Sequence, residues 1–151
     1  MSNFLHVILD QGYSSTKVGF AKEEFPRWII PSVLGYSNSI EDPRKIAIGE
    51  KALNDPNLHL LTPTHEGLDI SDIRILVKFW EKLFLDIMQI NPNNYELVLT
   101  IPPLMLIDSM KQLKSISTQI LEFQEIHFHN QQVCSLLEDQ KSTGLVVDIG
   151  G

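Results

Sequence analysis

The chain has 151 residues, with 12 basic and 19 acidic side chains and a net charge of −7 at pH 7. At this length one compact domain is expected, removing ~69% of the unfolded surface from water, which is enough for a hydrophobic core. With 43% apolar and 21% charged residues, disorder is not expected, and an acidic chain without a Lys/Arg cluster fits neither nucleic-acid backbones nor anionic membranes. The lone Cys134 excludes an internal disulfide and a multi-cysteine metal cluster, and it fits a reducing compartment. The N-terminal stretch has no basic region before its apolar residues, so a secretory signal is not expected. The longest strongly apolar run, Leu97 to Ile107, is roughly half the ~20 residues of a spanning helix and is interrupted by Pro102 and Pro103. A soluble intracellular protein is the expectation.

In chain order, Phe4 to Leu9 reads as a strand ending at Asp10-Gln11-Gly12, and Thr16 to Phe20 as its hairpin partner. Trp28-Ile29-Ile30 is a third short strand, completing a meander. Residues 36–66 carry turn signals at Asp42-Pro43, Asp55-Pro56 and Thr62-Pro63. Within them only Lys45 to Ile48 looks like a strand and Glu50 to Leu53 like a helical turn. This segment is expected to be a small mobile excursion outside the core.

From Ser71, read as an N-cap, the spacing of Ile73, Leu76, Val77, Trp80, Leu83, Phe84 and Ile87 predicts an amphipathic helix that stops at Asn91-Pro92. Glu96 to Ile101 is a buried strand. A second helix is expected to bury Leu106, Met110, Leu113, Ser117 and Ile120. Glu125 to Phe128 is a strand, and Gln131 to Leu137 a short helix capped by Asn130. Leu145 to Val147 is a fully apolar strand. Strands alternating with helices imply right-handed parallel crossovers and a sheet covered on both faces.

A repeated device carries the chemistry. Asp10-Gln11-Gly12 follows Val7-Ile8-Leu9, and Asp148-Ile149-Gly150-Gly151 follows Leu145-Val146-Val147. Both put an acid and then glycine at the end of an apolar strand. Glycine lets backbone N–H groups approach phosphate oxygens, and an Asp there can hold a hydrated Mg²⁺ through its waters. Lys17, seven residues after Asp10, is placed to neutralise phosphate charge, and Ser14, Ser15 and Thr16 supply hydroxyls. An ordinary acidic turn explains either element alone; the pair explains more. The dinucleotide fingerprint, the P-loop, the zinc-protease motif and the nucleophile elbow are absent from the sequence.

His127 and His129, two apart on a strand, share a face and offer a chelating pair, but the sequence shows no third ligand near them. Half-buried strand histidines are the plainer reading. Cys134, on a helix in an apolar context, reads as a packing residue.

Asp10-Gln11-Gly12, Lys17-Val18-Gly19-Phe20, Pro26-Arg27 and Ile30-Pro31-Ser32-Val33-Leu34-Gly35 closely resemble the opening of actin and the actin-related proteins. The similarity runs on through Gly49-Glu50-Lys51-Ala52, Lys78-Phe79-Trp80 and Leu99-Thr100-Ile101-Pro102-Pro103 to Thr143-Gly144-Leu145-Val146-Val147-Asp148-Ile149-Gly150. It covers the N-terminal part, less than half, of a full-length family member. The fold it implies is an α/β actin-like (ribonuclease-H-like) lobe, a mixed sheet with a leading meander and helices on both faces. Residues 1–35 and 67–143 would form this lobe and 36–66 an insertion. Residues 144–151 would start a second lobe, cut within its phosphate loop.

The resemblance also implies cofactors, ATP or ADP with Mg²⁺. On it Asp10 is the first metal-side acid, and Gln11, Gly12, Tyr13 and Ser14 form the first phosphate loop with Lys17 as phosphate contact. Gln131 is the residue that orients the attacking water, since a side-chain amide both donates and accepts. Asp148, again metal-side through water, opens the second loop with Gly150 and Gly151.

Three departures bear on function. Tyr13 stands where actins place a small hydroxyl residue against the terminal phosphate, leaving Ser14 or Ser15 to substitute. Gly151 replaces the second acid of actins proper, so Asp148-Ile149-Gly150-Gly151 looks more like the bacterial rod-shape homologues and the seventy-kilodalton heat-shock chaperones. The segment between Gly35 and Gly49 is shorter than the actin loop that inserts into the next filament subunit.

The reading that follows is a Mg-ATP-binding cytoskeletal filament protein with slow hydrolysis, and residues 1–151 alone are expected to show no ATPase. Its partners would be other actin-like subunits or actin-binding proteins, without direct nucleic-acid or membrane contact. The cytoplasm is the implied location. The alternative is a non-catalytic actin-related scaffold subunit of a larger complex, for which the nucleus is open. A sugar-kinase-type phosphotransferase is a more distant third, because no substrate-side base is in evidence.

Overall fold

A computed structural model describes residues 5–64, 72–138, 140 and 142–147. Strands β1 (Leu5–Gln11), β2 (Ser15–Phe20) and β3 (Trp28–Pro31) form the expected antiparallel meander. The sheet extends from β1 through two parallel neighbours, β7 (Tyr95–Ile101) and β8 (Ile126–Asn130), in the order β3-β2-β1-β7-β8. Between the two halves lies a second, three-stranded antiparallel sheet of β4 (Leu34–Tyr36), β5 (Ile46–Ile48) and β6 (His59–Leu61), with the short helix α1 (Glu50–Leu53). Helices α2 (Ile73–Glu81), α3 (Ile107–Ser115) and α4 (Gln131–Glu138) complete the fold.

Register explains the burial. Val7 pairs with Phe20 and with Leu97, and Leu9 with Val18 and with Leu99. Paired side chains therefore share one face, where Val7, Leu9, Val18, Leu97 and Leu99 are essentially fully buried. The β1→β7 and β7→β8 connections step across the sheet in the same direction. Right-handed crossovers then put α2 and α3 on the same face, where Leu76, Phe79, Trp80, Phe84, Leu113 and Ile116 complete the core. The other face, carrying Ile8, Lys17 and Ile29, is largely exposed among the described residues. Helix α4 starts beside the outward-facing Asp10, to which its Gln131 donates, and the mixed sheet with its helices is the expected α/β actin-like lobe.

Several local expectations change. Asp72, not Ser71, caps α2: its carboxylate accepts from the Arg74 N–H at 2.9 Å and also pairs with the Arg74 guanidinium. Ser71 lies outside the described residues. Helix α2 runs on as a wider π-helical segment, Lys82–Ile87, and ends at Gln89 in the left-handed region (φ 54), before Asn91-Pro92. A π segment, Ile116–Ile120, likewise extends α3. Its wider turn shifts the register at that end of the helix, so Ile116 and Ser117 are buried while Ile120, expected inside, is exposed. Leu106, also expected inside, precedes α3 as its extended N-cap and is exposed, and Leu113 is buried as expected.

The 36–66 excursion is not separate from the core. Its Ile46 and Ile48 are buried in the same cluster as Leu34, Trp80 and Leu83, because the short strands turn their apolar sides toward the main layer. The strand expected over 145–147 does not form, and Leu145 and Val147 are 90% and 72% exposed. A strand needs a hydrogen-bonding neighbour, and no described strand pairs with these residues.

The core centres on Trp80, fully buried, edge-on to Phe84, which in turn packs edge-on against Phe123 at 4.9 Å between ring centroids. The indole N–H donates to the Gln11 side-chain oxygen at 3.1 Å. Trp80→Phe would remove packed volume and leave that oxygen orphaned. A loss of ~2–4 kcal/mol is expected, read as a lower urea midpoint at unchanged m-value.

Candidate functional site

The turn joining β1 to β2 is held from below by a relay of buried polar groups. Gln11 uses its oxygen on Trp80 and its NH₂ group on Thr16 Oγ1 (2.9 Å) and, at longer range, Ser32 Oγ (3.3 Å). Ser32 Oγ donates its hydrogen to the Gly12 carbonyl at 2.7 Å. A hydroxyl has only one hydrogen, so in the 2.8 Å Thr16–Ser32 contact Thr16 is the donor. The Ser32 N–H adds a bond to the Ser14 carbonyl at 3.0 Å. The Gln11, Thr16 and Ser32 side chains are all nearly inaccessible to water. Unmade hydrogen bonds there are costly, so the relay specifies one turn conformation.

Gly12 closes the same turn. Its N–H donates to the Ser15 carbonyl at 3.0 Å, and a Cβ at this position would sit 2.6 Å from that oxygen. The close approach accounts for glycine here. It also means the Gly12 amide is occupied within the turn, whereas the sequence reading aimed it at phosphate. The Gln11 side chain likewise faces the interior. Tyr13 stands at the turn with a half-exposed ring.

On the outer side of the same strand ends, three elements converge on Asp10. Thr100, at the end of β7, donates to Oδ1 at 2.6 Å, and the Gln131 side-chain amide donates to the same oxygen at 3.1 Å. Lys17, directly opposite Asp10 in the β1–β2 register, reaches Oδ2 at 3.4 Å. Gln131 arrives because β8 lies parallel to β7 and α4 starts where β8 ends. Asn130 caps that helix, accepting from the N–H groups of Gln132 (3.0 Å) and Val133 (3.3 Å). Two sequence-predicted residues 121 positions apart thus meet through a single carboxylate.

The Lys17–Asp10 pair is half exposed and contributes ~0–1 kcal/mol to stability. Its interest is chemical, since it leaves a cation and an acid side by side at an open strand end. The two residues also form one end of a cavity of ≈ 280 Å³ whose other walls include Ile8, Phe20, Phe25 and Pro26. That is below the ~300–1,000 Å³ of a typical ligand pocket. Asp148, Gly150 and Gly151 lie outside the described residues.

Thr100 and Ser32 were not singled out as site residues by sequence reasoning. Thr100 had a usable signal: it is the only hydroxyl in the apolar run Leu97–Ile101. Ser32 had none, because its role depends on β3 lying beside the Gly12 turn. His127 does have further partners, since His6 and Glu96 stand beside it on β1 and β7. Cys134, on α4, is partly buried, and its thiol is pushed above the usual range, first by that burial and then by the negative charge of Asp10.

Among known proteins, the actin family model matches residues 2–151. The chain is 26% identical over 152 residues to the SWI/SNF and RSC complexes subunit arp42 of Schizosaccharomyces pombe, covering 99% of this chain and 36% of that protein. It is 27% identical over 152 residues to actin-related protein 2 of the same yeast, covering 95% and 39%. Against actin-related protein 2 of Arabidopsis thaliana it is 28% identical over 158 residues, covering 99% and 40%. The chain therefore spans well under half the length of these relatives.

Two outcomes test the site's geometry. Gly12→Ala should destabilise the fold by ~1–3 kcal/mol, because the methyl group meets the Ser15 backbone oxygen that the Gly12 N–H itself holds close; thermal unfolding measures it. Asp10→Asn removes one of the two causes that raise the Cys134 pKa, so more thiolate forms at a given pH. Labelling of Cys134 by a thiol reagent at pH 8 should accelerate, and an unchanged rate would mean that the Asp10 charge does not reach α4.

Proposed function

The chain belongs to the actin family, and from that premise we propose that it carries one side of a Mg-ATP site in an actin-like protein. The observation that supports this reading is the convergence of Thr100, Gln131 and Lys17 on the Asp10 carboxylate. It joins an acid, a cation and a water-competent amide at one open strand end. These groups fit a hydrated Mg²⁺ with phosphate. Asp10 would meet the metal's waters, Lys17 would balance phosphate charge, and Asp148 would serve the metal from the second loop. Magnesium bound there would neutralise the charge that builds on the phosphate oxygens during transfer.

Within the chain, Gln131 does the positioning. Its Nε2 is fixed on Asp10, which leaves the amide oxygen as an acceptor that can orient water. Slow hydrolysis coupled to assembly with other actin-like subunits is the activity that suits this set, in the cytoplasm.

A second reading has its own support. Tyr13 occupies the turn where a small hydroxyl would meet the terminal phosphate, and the Gly12 amide is occupied by Ser15. Both favour a scaffold role in a larger complex, in the cytoplasm or the nucleus, and the similar arp42 is described as a subunit of such complexes.

Nucleotide linkage separates the two. On the first reading, Mg-ATP at a hundred times its Kd stabilises the purified protein by ~2.7 kcal/mol, and Lys17→Ala weakens binding ~10-fold or more by removing a charged hydrogen bond. On the second, the protein shows no nucleotide-dependent change in Tm and gains one in Tyr13→Ser. No shift in either form would overturn both readings.

A further inference from the structure

We propose that His6, Glu96 and His127 form a site for a borderline transition-metal ion, zinc or cobalt, on the open face of the main sheet. The three residues come from adjacent strands. His6 pairs with Glu96 across β1 and β7, and His127 stands on β8 opposite Val98, on the same face. Both histidine Nε2 atoms point at the same Glu96 oxygen, at 3.1 Å from His6 and 3.0 Å from His127. The three ligand atoms all lie within 4.8 Å of one another.

Tetrahedral coordination at metal–ligand distances of ~2.0–2.1 Å places ligand atoms ~3.3–3.4 Å apart. The two nitrogen–oxygen separations are within a few tenths of an ångström of that value. Small rotations of the two imidazoles would bring the nitrogens into range around an ion, which would take over the role of their shared hydrogen-bond acceptor. The fold supplies the rigidity, because every ligand sits on a hydrogen-bonded strand and none on a loop.

Burial is graded in a way that suits a cation. The Glu96 side chain is 7% exposed, while those of His6 and His127 are 38% and 37% exposed. The anionic ligand is thus sheltered, where a positive charge beside it is worth most, and the imidazoles leave a solvent-side approach. Two nitrogens and one carboxylate oxygen select zinc, cobalt, nickel or iron over magnesium and calcium, which take oxygen ligands. A fourth position is left for water. The cluster lies four residues from Asp10 along β1, or ~13 Å at 3.3 Å per residue, so it is separate from the site described above.

Titration of the purified protein with Zn²⁺ by calorimetry, and with Co²⁺ by visible absorption, tests the proposal. One ion per chain is expected, with the intense spectrum of four-coordinate Co²⁺. Losing a ligand should cost at least as much as losing an outer-shell partner, ~10-fold or more in affinity, in each of His6→Ala, His127→Ala and Glu96→Gln. His129→Ala, on the same strand and face but outside the cluster, should bind as before. In the unaltered chain, the ring NMR signals of His6 and His127 should move on Zn²⁺ addition while those of His59 and His129 stay, a readout that does not depend on any variant folding. Absence of saturable one-to-one binding, survival of binding in both histidine variants, or equal movement of all the ring signals would overturn the proposal.

Discussion

The hydrogen bond from the Trp80 indole to Gln11 joins the two parts of the molecule that matter most. At one end is the largest buried side chain of the core, on α2; at the other is the strand end from which the Gly12 turn departs. From Gln11 the connection continues through Thr16 and Ser32 to the Gly12 carbonyl, each group filling the next one's hydrogen-bonding need. In a region this dry, an unmade bond costs more than a made one returns, so the chain of donors has one satisfied arrangement. The turn therefore inherits the rigidity of the core, although it lies at the edge of the sheet.

That rigidity is what gives Asp10 its setting. Alternation along β1 sends Gln11 inward and Asp10 outward from adjacent positions. The neighbouring strands then deliver Lys17 by antiparallel register and Thr100 by parallel register, and α4 delivers Gln131. Parallel strands bring their C-terminal ends to one edge, and for this reason residues near 10, 100 and 131 share a site. The same alternation four residues earlier puts His6 outward beside Glu96 and His127. One face of one sheet thus carries two polar clusters, while the opposite face is occupied by α2 and α3.

Much of this was legible beforehand. The meander, the helices after residue 71 and after Asn130, and the α/β class follow from periodicity and turn chemistry, which are local. Asp10 and Lys17 were found through residue patterns and Gln131 only through the resemblance to actins, and the fold brings all three together. What went unread depended on contacts across the chain. Nothing local in Ser32 says that it will meet Gly12. Nothing in His6 says that Glu96 will stand beside it. The π segment after Ser115 leaves Ile120 facing outward, and the spacing rule for an α-helix cannot foresee a turn of different width.

By itself, the sequence determined most of the elements and the chemistry available: a strand leading into Asp10-Gln11-Gly12, a helix anchored by Trp80, an acidic chain with one cysteine, and actin-like spacing throughout, but not β4 and β6. Those are properties of short windows, where side-chain periodicity and turn residues act directly on the backbone. Only the tertiary structure decided that the 34–61 strands enter the main core, that α2 and α3 share one face, and that residues 145–147 are exposed. It also decided which side chains meet at Asp10 and at Glu96. Each of these rests on strand register and crossover handedness, which are settled when distant segments pair and bury their apolar faces together.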